Sequence, residues 1–321
     1  MPDHYVMFWN VENLFDVDGS PRRSEKLERT LGSELTGWTQ EVLDRKISQL
    51  AKVVSYANGG KGPDLLGVCE VENRFVLERL CQAVTTLNRN YEIVHADTQD
   101  GRGIDVAFIY DPSRFTPVPG QVFYHFIVRR VATRDLVQVS FRTAAGRTLV
   151  VIGNHWPARL EGKLESEPYR IIAGETLAYF HERIRQELGT DTAVLAMGDF
   201  NDEPFDRSIV DYACCERQRT KVTRATSARF LNLMWPLAGQ GLGTHYYDNS
   251  VNLLDQFMAS RSLVTGAKGL TALPGSVEIV RFPEMVSTGA YPSPIRFGRG
   301  EEINPNGFAD HFPIGMVIHE T

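Results

Sequence analysis

Cysteine is scarce in this chain, and its four residues form no recognisable disulfide or metal-binding pattern. Cys214 and Cys215 are adjacent, Cys69 and Cys81 lie within apolar patterns, and no Cys-x-x-Cys pair occurs. Disulfide scaffolds and zinc ribbons require such spacings. The sequence therefore predicts free thiols in a reducing compartment.

Long hydrophobic runs are also absent. No stretch of about 18 apolar residues occurs, so we expect no membrane-spanning helix and no membrane partner. The segment from Met1 to Trp9 has neither a basic beginning nor a long apolar centre, so we expect no secretory signal peptide. These features predict a cytoplasmic location.

The chain has no excess of positive charge. Its 34 Lys and Arg residues against 40 Asp and Glu residues give a formal net charge of −6. A protein that holds nucleic acid mainly through a basic surface is usually positive. The composition therefore disfavours a simple electrostatic nucleic-acid binder, and a polyanionic substrate would have to meet local arginines or a bound cation. A hydrophobic content of 42% excludes a disordered chain.

What is present is a series of short apolar runs between helical segments. Each run has four to eight residues, is rich in β-branched and aromatic side chains, and is bounded by Gly, Pro, Asp or Asn, which is typical of strands. The predicted strands are Tyr5–Trp9, Leu65–Cys69, Tyr91–His95, Ile104–Tyr110, Gln121–Val128, Leu136–Phe141, Leu149–Ile152, Ala193–Met197, Leu253–Ala259 and Phe312–His319. The predicted helices are Gln40–Tyr56, Asn73–Leu87 and Pro168–Leu188. This alternation favours an α/β fold, and since no connection resembles a flexible linker, we expect one domain over residues 1–321.

Polar residues follow several of these strands where each strand ends. In α/β folds, functional sites collect at the carboxyl ends of strands. Six polar clusters stand at or beside predicted strands, and they contain Asn10, Glu70, His155, Asp199 with Asn201, Asp255, and Asp310 with His311. Six other histidines have no such neighbours, and we assign no role to His4, His95, His125, His181, His245 or His319.

The side chains in these clusters suit one kind of chemistry. Carboxylate and amide oxygens from Asn10, Glu70 and Asp310 match the preference of Mg²⁺ for hard ligands, whereas zinc would require Cys or several His residues. Asp199 and Asn201 are two apart, so they project from the same face of an extended segment. An imidazole near such a centre can stabilise charge on a phosphoryl group.

These clusters carry a family resemblance. The matching segments run in the family's order from Trp9 to His311, and they are Trp9-Asn10-Val11-Glu12-Asn13-Leu14-Phe15-Asp16, Gly67-Val68-Cys69-Glu70-Val71-Glu72-Asn73-Arg74, Asn154-His155-Trp156-Pro157, Gly198-Asp199-Phe200-Asn201-Asp202 and Asp310-His311. On them the chain resembles the endonuclease/exonuclease/phosphatase superfamily, which includes DNase I-like nucleases, sphingomyelinases and inositol-phosphate phosphatases. The resemblance implies a DNase I-like four-layer sandwich, in which two mixed β-sheets pack face to face with helices outside.

The resemblance also implies a cation site. Glu70 would be the principal metal ligand, with Asn10 beside it and Asp310 as a further carboxylate. Mg²⁺ is the implied cofactor, and Mn²⁺ would be able to substitute.

A second group of residues would carry the reaction. The resemblance implies that Asp199 positions or deprotonates the attacking water and that Asn201 holds the scissile phosphate. Asp255 would orient His311, which would contact the phosphate. His155 resembles the second catalytic histidine of the DNase I and sphingomyelinase branches.

Two arginines are candidates for substrate contact. Arg102 lies between Gly101 and Gly103, where the backbone can come close to a phosphate, and Arg159 follows His155 by four residues. A guanidinium suits bidentate phosphate contact. The chain departs from the family pattern at Ala309, where a serine is usual, and at Cys69, where a glutamine is common.

The sequence leaves three functions open. The first is a Mg²⁺-dependent phosphodiesterase, in particular a nuclease that hydrolyses DNA or RNA by in-line attack of water. The second is a phosphoesterase acting on a small-molecule, lipid or inositol phosphate, which the net charge of −6 favours. The third is an inactive family member that serves as a binding module, which the complete set of acids, amides and histidines disfavours.

Overall fold

The computed structural model describes residues 2–98, 100–129, 133–159, 162–247, 250–289 and 291–321, and this part contains sixteen strands and six α-helices. The strands are β1 (Asp3–Leu14), β2 (Leu65–Val71), β3 (Glu92–Val94), β4 (Asp105–Tyr110), β5 (Phe115–His125), β6 (Leu136–Thr143), β7 (Thr148–His155), β8 (Ala193–Asp199), β9 (Cys215–Glu216), β10 (Phe230–Asn232), β11 (His245–Tyr247), β12 (Ser250–Asn252), β13 (Asp255–Ser260), β14 (Leu270–Ala272), β15 (Glu278–Ile279) and β16 (Ile314–Glu320). The helices are α1 (Glu25–Leu31), α2 (Gln40–Gly60), α3 (Arg74–Ala83), α4 (Lys163–Leu188), α5 (Arg219–Thr223) and α6 (Arg261–Thr265).

The strands form two mixed seven-stranded sheets and a small hairpin. The first sheet has the order β14-β16-β1-β2-β4-β3, with β15 also paired to β16, and the second has the order β5-β6-β7-β8-β13-β10-β9. Strands β11 and β12 form the hairpin. Each large sheet contains one long parallel pair, β1 with β2 and β7 with β8. These two pairs direct the carboxyl ends of four strands toward the candidate site.

Alternation of side chains along the strands creates the layers. In β1, Val6 and Phe8 belong to the core between the two sheets, whereas Met7 and Trp9 belong to the core on the other face, which α2 and α3 cover. The outer face of the second sheet packs against α4 through residues such as Leu177. Because successive side chains of a strand point to opposite faces, strands that are apolar at both alternations are covered on both sides. The predicted sandwich of two mixed sheets with helices outside is confirmed.

The two sheets approach closely enough to require a glycine. A Cβ atom on Gly67 in β2 would lie 2.7 Å from the Cε atom of Met197 in β8 and 2.9 Å from a ring carbon of Phe8. Real side chains do not come so close in a packed core. The absence of a side chain at Gly67 therefore allows β2 of the first sheet to pack closely against β8 of the second.

The ten predicted strands all correspond to observed strands, with shifted ends. The three predicted helices correspond to α2, α3 and α4, each with one end shifted by four or five residues, and the short helices α1, α5 and α6 were not predicted. Helix α4 begins at Lys163 and not at Pro168, so Pro168 lies inside it. Its first two turns offer no apolar periodicity, because Leu164 there is exposed and the buried residues are Ser166 and Arg170. The strands that sequence periodicity missed have only two or three residues. Across the described ranges, no helix combines the length and the apolar character needed to cross a membrane.

Candidate active site

The candidate site lies where the two parallel strand pairs end. Asn10 lies where the pairing of β1 with β2 shifts register, and Glu70 is next to last in β2. In the second sheet, His155 and Asp199 are register partners at the ends of β7 and β8. The Nδ2 atom of Asn10 donates to Asp199 Oδ2 at 3.0 Å and lies 3.4 Å from Glu70 Oε1. One amide group thus connects the carboxylates of the two sheets.

Backbone strain is concentrated at the same place. Glu12, Asn13, Glu70 and Asn201 all have positive φ angles, between 50° and 65°, although none is glycine. The pairing of β2 with both neighbours shifts register around Glu70, as at a β-bulge. Left-handed conformations of non-glycine residues cost energy and persist where surrounding structure enforces them, often at functional sites.

The residues predicted to hold a cation are grouped on the first-sheet side. Glu70 Oε2 accepts a hydrogen bond from the backbone N–H of Asn13 at 3.0 Å, and Glu70 Oε1 faces the Asn10 amide. Burial raises the pKa of Asp310 to about 7, and the nearby charges of Glu12 and Glu70 add to this rise. Such mutual repulsion is what a divalent cation would relieve. The donor set of two carboxylates and one amide fits Mg²⁺ or Mn²⁺.

A second group joins Asp255, His311 and Asp199. His311 Nδ1 lies 2.7 Å from Asp255 Oδ2, and His311 Nε2 lies 3.8 Å from Asp199 Oδ2. Burial lowers the pKa of His311, but the two carboxylates outweigh it and raise the pKa well above its ordinary value. Burial also raises the pKa of Asp199 to about 6, although the charge of His311 opposes this shift. The imidazole is therefore held as a cation that directs one N–H toward the site.

His155 faces the same carboxylates, but its pKa is shifted in the opposite direction. Its Nε2 atom lies 3.7 Å from Glu70 Oε1 and 3.8 Å from Asp199 Oδ2. The guanidinium of Arg134 lies against the ring, with Nη2 2.7 Å from His155 Nε2. Burial and the Arg134 charge lower the pKa of His155 well below its ordinary value. A neutral His155 beside a fixed cation results. Sequence reasoning missed Arg134, because its segment before β6 carries no motif.

Asn201 is fixed beside Asp199 by several hydrogen bonds. Its backbone N–H donates to Asp199 Oδ1 at 2.9 Å, and its Nδ2 atom donates to the carbonyl oxygen of Trp156 at 3.0 Å. The same amide lies 3.4 Å from Asp199 Oδ2. The two side chains therefore meet, but not on one face of an extended segment as their spacing predicts, because β8 ends at Asp199 and Asn201 has a left-handed backbone.

Arg159, a candidate for substrate contact, uses its guanidinium within the protein. Its Nε atom donates to the carbonyl oxygen of Asn201 at 2.6 Å, and its Nη2 atom contacts Asp202 at 3.2 Å and Asp206 at 3.0 Å. These contacts anchor the turn that carries Asn201. Contact of Arg159 with substrate stays a prediction.

Arg102, the other candidate for substrate contact, lies near Glu70, the predicted metal ligand, through its contact with Asn13. Its Nη2 atom donates to Asn13 Oδ1 at 2.5 Å and to Glu34 Oε2 at 2.9 Å. Arg299, which sequence reasoning missed, also contacts Asn13 and Glu34. Burial raises the pKa of Glu70, but the charges of Arg102 and Arg134 outweigh it and hold the pKa below its ordinary value. Two partly exposed guanidinium groups, those of Arg102 and Arg299, therefore meet at Asn13, whose backbone N–H donates to Glu70.

His245, to which the sequence assigns no role, is also brought to the site. Its ring centroid lies 4.6 Å from that of His311, and the two residues form an isolated β-bridge. The adjacent Thr244 hydroxyl accepts from the backbone N–H of Asp255 at 3.2 Å, and the Thr244 carbonyl accepts from that of Phe312 at 2.7 Å. This segment therefore fixes the spacing of Asp255 and His311. A lone histidine in a long connection gives no local signal of this contact.

A family model described as "Endonuclease/Exonuclease/phosphatase family" matches residues 5–320, almost the entire chain. The chain belongs to this family. It is therefore a member of a phosphoesterase superfamily, as the strand-end motifs predict. The sequence matches no curated protein.

Solved structures of low sequence identity share the fold of this family member. The humanised TDP2 of D. rerio has a TM-score of 0.60 and 12% identity, and the match covers 99% of each chain. The human Nocturnin catalytic domain with bound sulfate has a TM-score of 0.54 and 16% identity, over 99% of this chain and 95% of that one. The mannosyl-6-phosphatase Bt3783 of Bacteroides thetaiotaomicron has a TM-score of 0.55 and 15% identity, over 98% of this chain and 99% of that one.

Proposed function

We propose that this family member is a metal-dependent phosphodiesterase, in particular a nuclease that hydrolyses DNA or RNA. The main support for the proposal is the amide of Asn10. It contacts Glu70, the proposed metal ligand, and Asp199, the proposed base for the attacking water. A phosphate placed between these two groups would meet a cation site and a carboxylate within one hydrogen-bonded cluster. That arrangement suits in-line displacement by water.

Each residue has a distinct task in this reaction. A Mg²⁺ or Mn²⁺ ion held by Glu70, Asn10 and Asp310 would polarise the phosphate and offset its charge. Asp199 orients the attacking water and accepts its proton. Asn201 holds the phosphate beside Asp199.

The histidines and arginines would stabilise the negative charge that develops on the phosphoryl oxygens. His311, oriented by Asp255 through its Nδ1 atom, donates from Nε2 to the developing charge on the phosphoryl oxygens. Both ring nitrogens of His155 face N–H groups of Arg134, so this histidine would orient the guanidinium charge near the phosphate without adding a second imidazolium. Arg102 donates to Asn13, whose backbone N–H holds Glu70, and from there it would contact a bound phosphate.

A nucleic-acid substrate is supported by the guanidinium groups of Arg102 and Arg299, which both contact Asn13 Oδ1 and would be able to contact successive phosphates. A second candidate function is hydrolysis of a small phosphate ester, such as a sugar, lipid or inositol phosphate. The net charge of −6 and the likeness to a mannosyl-6-phosphatase favour it. A binding module without activity is a third function, and the complete set of catalytic side chains disfavours it.

A substrate panel tests these functions. Plasmid DNA, single-stranded DNA, RNA, a generic phosphodiester, a sugar phosphate and inositol phosphates are assayed with and without Mg²⁺ or Mn²⁺. We expect metal-dependent cleavage of a nucleic acid, and we expect Glu70→Gln and Asp199→Asn to abolish it. Glu278→Gln is the matched control, because this carboxylate lies outside the strand-end cluster and accepts a hydrogen bond from Tyr5.

Three results would overturn parts of the proposal. Full metal-dependent activity in Asp199→Asn would remove the assigned role of this residue. Cleavage restricted to sugar or inositol phosphates would replace the nuclease by a small-molecule phosphoesterase. Binding to nucleic acid that weakens steeply with salt, without any hydrolysis, would favour the binding module, because only a polymer releases many counterions.

A further inference from the structure

A second group of potential metal ligands lies outside the catalytic cluster, on the segment that joins β3 to β4 and at the first residue of β4. His95, Asp97 and Asp105 each offer one ligand atom, and these three atoms lie within 4.8 Å of one another. The group shares no residue with the candidate active site. The same segment carries Arg102, one of the proposed substrate contacts.

The imidazole of His95 is buried without a hydrogen-bond partner. Its side chain is 3% exposed, and within the described ranges its Nε2 atom has no partner that satisfies hydrogen-bond geometry. That atom lies 3.4 Å from Asp105 Oδ2. The other oxygen of Asp105 accepts from the backbone N–H and the hydroxyl of Thr98, at 3.1 and 2.5 Å. One imidazole nitrogen and one carboxylate oxygen are thus left facing each other.

The acidic charge of this group is not neutralised by a basic side chain. Asp105 is 1% exposed, yet among the described residues no Lys or Arg forms an ion pair with it or with Asp97. Two comparable carboxylates, Asp64 and Asp111, both pair with Arg89 at 2.7 Å. A buried charge is costly unless it is paired or coordinates a metal. The group therefore lacks the cation that other carboxylates of this protein have.

The group can be reached from solvent. A cavity of about 300 Å³ is lined by Asp97, Thr98 and Asp105, and its lining also includes the basic residues Arg22, Arg23 and Lys26. Asp97 is itself exposed. An ion can therefore enter and keep water molecules as additional ligands.

We propose that His95, Asp97 and Asp105 bind a divalent transition-metal ion such as Zn²⁺, with Nε2 of His95 as the nitrogen ligand. This set is not the Cys- or His-rich set typical of structural zinc, but its imidazole nitrogen favours a transition-metal ion such as Zn²⁺ over Mg²⁺, which prefers oxygen ligands alone; carboxylates and water would complete the coordination. Bound there, the ion fixes the segment between β3 and β4, and with it the position of Arg102. The site does not depend on the proposed catalytic reaction.

Metal binding by the full chain tests this site. The double variant Glu70→Gln/Asp310→Asn serves as the background, because it removes the carboxylates of the catalytic cation site. Zn²⁺ binding is measured by calorimetry, and the metal retained after desalting is measured by elemental analysis. We expect one Zn²⁺ per chain in the background. His95→Gln and Asp97→Asn should each weaken binding at least about tenfold, since even loss of an outer partner costs that much.

A control variant at another histidine shows whether Zn²⁺ binding is specific to His95. His319 pairs with Asp3 at 2.7 Å in a partly exposed position, so His319→Gln should leave Zn²⁺ affinity unchanged. Absence of Zn²⁺ binding in the background would overturn the proposal and leave His95 and Asp105 as a simple ion pair. Equal affinity in the background, His95→Gln and Asp97→Asn would overturn it as well. Because Asp97 is exposed, its variant is expected to fold even where His95→Gln does not. The readout is metal binding and not hydrolysis, so failure of the proposed function would not affect it.

Discussion

Two buried histidines pair with carboxylates at the same distance in different parts of the molecule. His311 Nδ1 lies 2.7 Å from Asp255 Oδ2 at the candidate site, and His4 Nε2 lies 2.7 Å from Glu320 Oε2 where β1 begins and β16 ends. All four side chains are at most 6% exposed. Neither the distance nor the burial therefore separates a reactive histidine from a structural one.

The difference lies in what surrounds each pair. The second nitrogen of His311 faces the carboxylate of Asp199 at 3.8 Å. The second nitrogen of His4 has no partner in the described part of the chain, and its ring packs against Phe115 at 4.8 Å. The other oxygen of Glu320 accepts the hydroxyl hydrogen of Thr143. Core side chains surround the His4–Glu320 pair, whereas the free ring nitrogen of His311 faces the carboxylate of Asp199 at the end of β8.

The largest effect that tests this contrast is on the reaction rate. Asp255→Asn removes the charge that orients His311 and supports its protonation, so kcat/KM should fall by about 10²- to 10⁴-fold, the usual contribution of positioned acid–base groups. Glu320→Gln makes the same chemical change at the His4 pair and should leave kcat/KM within about twofold, since it lies outside the site. Steady-state kinetics on the substrate found by the panel measures both. Equal losses in the two variants would show that the surroundings do not decide the role of the pair.

The second effect is on stability, where we expect Glu320→Gln to cost more than Asp255→Asn. Glu320→Gln weakens bonds with both His4 and Thr143, so the free energy of unfolding should fall by about 1.5–3 kcal/mol, as for hydrogen bonds to charged groups. Asp255→Asn should cost less, because it also removes repulsion between Asp255 and its register partner Asp199. Urea denaturation at neutral pH measures the difference. A larger loss in Asp255→Asn than in Glu320→Gln would contradict the prediction.

A third buried histidine shows what burial does without a carboxylate. His181 is 2% exposed and stacks on Phe230 with ring centroids 3.9 Å apart, and burial together with Arg185 lowers its pKa to about 3. Because its ordinary pKa is about 6.5, the unfolded chain binds one more proton between these values, so stability falls as pH falls. Near pH 5 this loss should reach about 2 kcal/mol, and His181→Phe should not show it.

Urea denaturation of the wild type and His181→Phe across this pH range measures the difference between them. His155 and His245 also have lowered pKa values, but they are present in both proteins and cancel in the comparison. Parallel pH dependences would show that His181 does not titrate as its burial indicates.

The strand-end residues were predictable because each follows a buried apolar run directly. Asn10, Glu70 and Asp199 continue strands whose alternation is visible in the sequence, so their meeting at one edge follows from the fold class. The backbone conformations that orient these side chains, such as the left-handed one at Glu70, leave no pattern in the sequence. They arise because the strand pairs with two neighbouring strands.

Contacts made by long connections were not predictable from local patterns. Arg134 and His245 lie in segments without periodicity, and only the packing of distant strands brings them to the site. Whether a guanidinium is free also depends on tertiary structure: Arg159 is held by Asp202 and Asp206, which a sequence does not place beside it. Residue type and strand position thus predict the chemistry of the site, and tertiary pairing decides which charges remain available.

The smallest expected effect concerns a third histidine–carboxylate pair. His319 Nδ1 also lies 2.7 Å from Asp3 Oδ1, but these side chains are 38% and 60% exposed. Water screens such a pair and competes for its hydrogen bonds, so His319→Gln should change the free energy of unfolding by less than about 0.5 kcal/mol, without affecting kcat/KM. Urea denaturation beside Glu320→Gln, at low and high salt, measures it. If the two variants lost equal stability, exposure would not explain why pairs of equal length differ, and the contrast between His311 and His4 would need another cause.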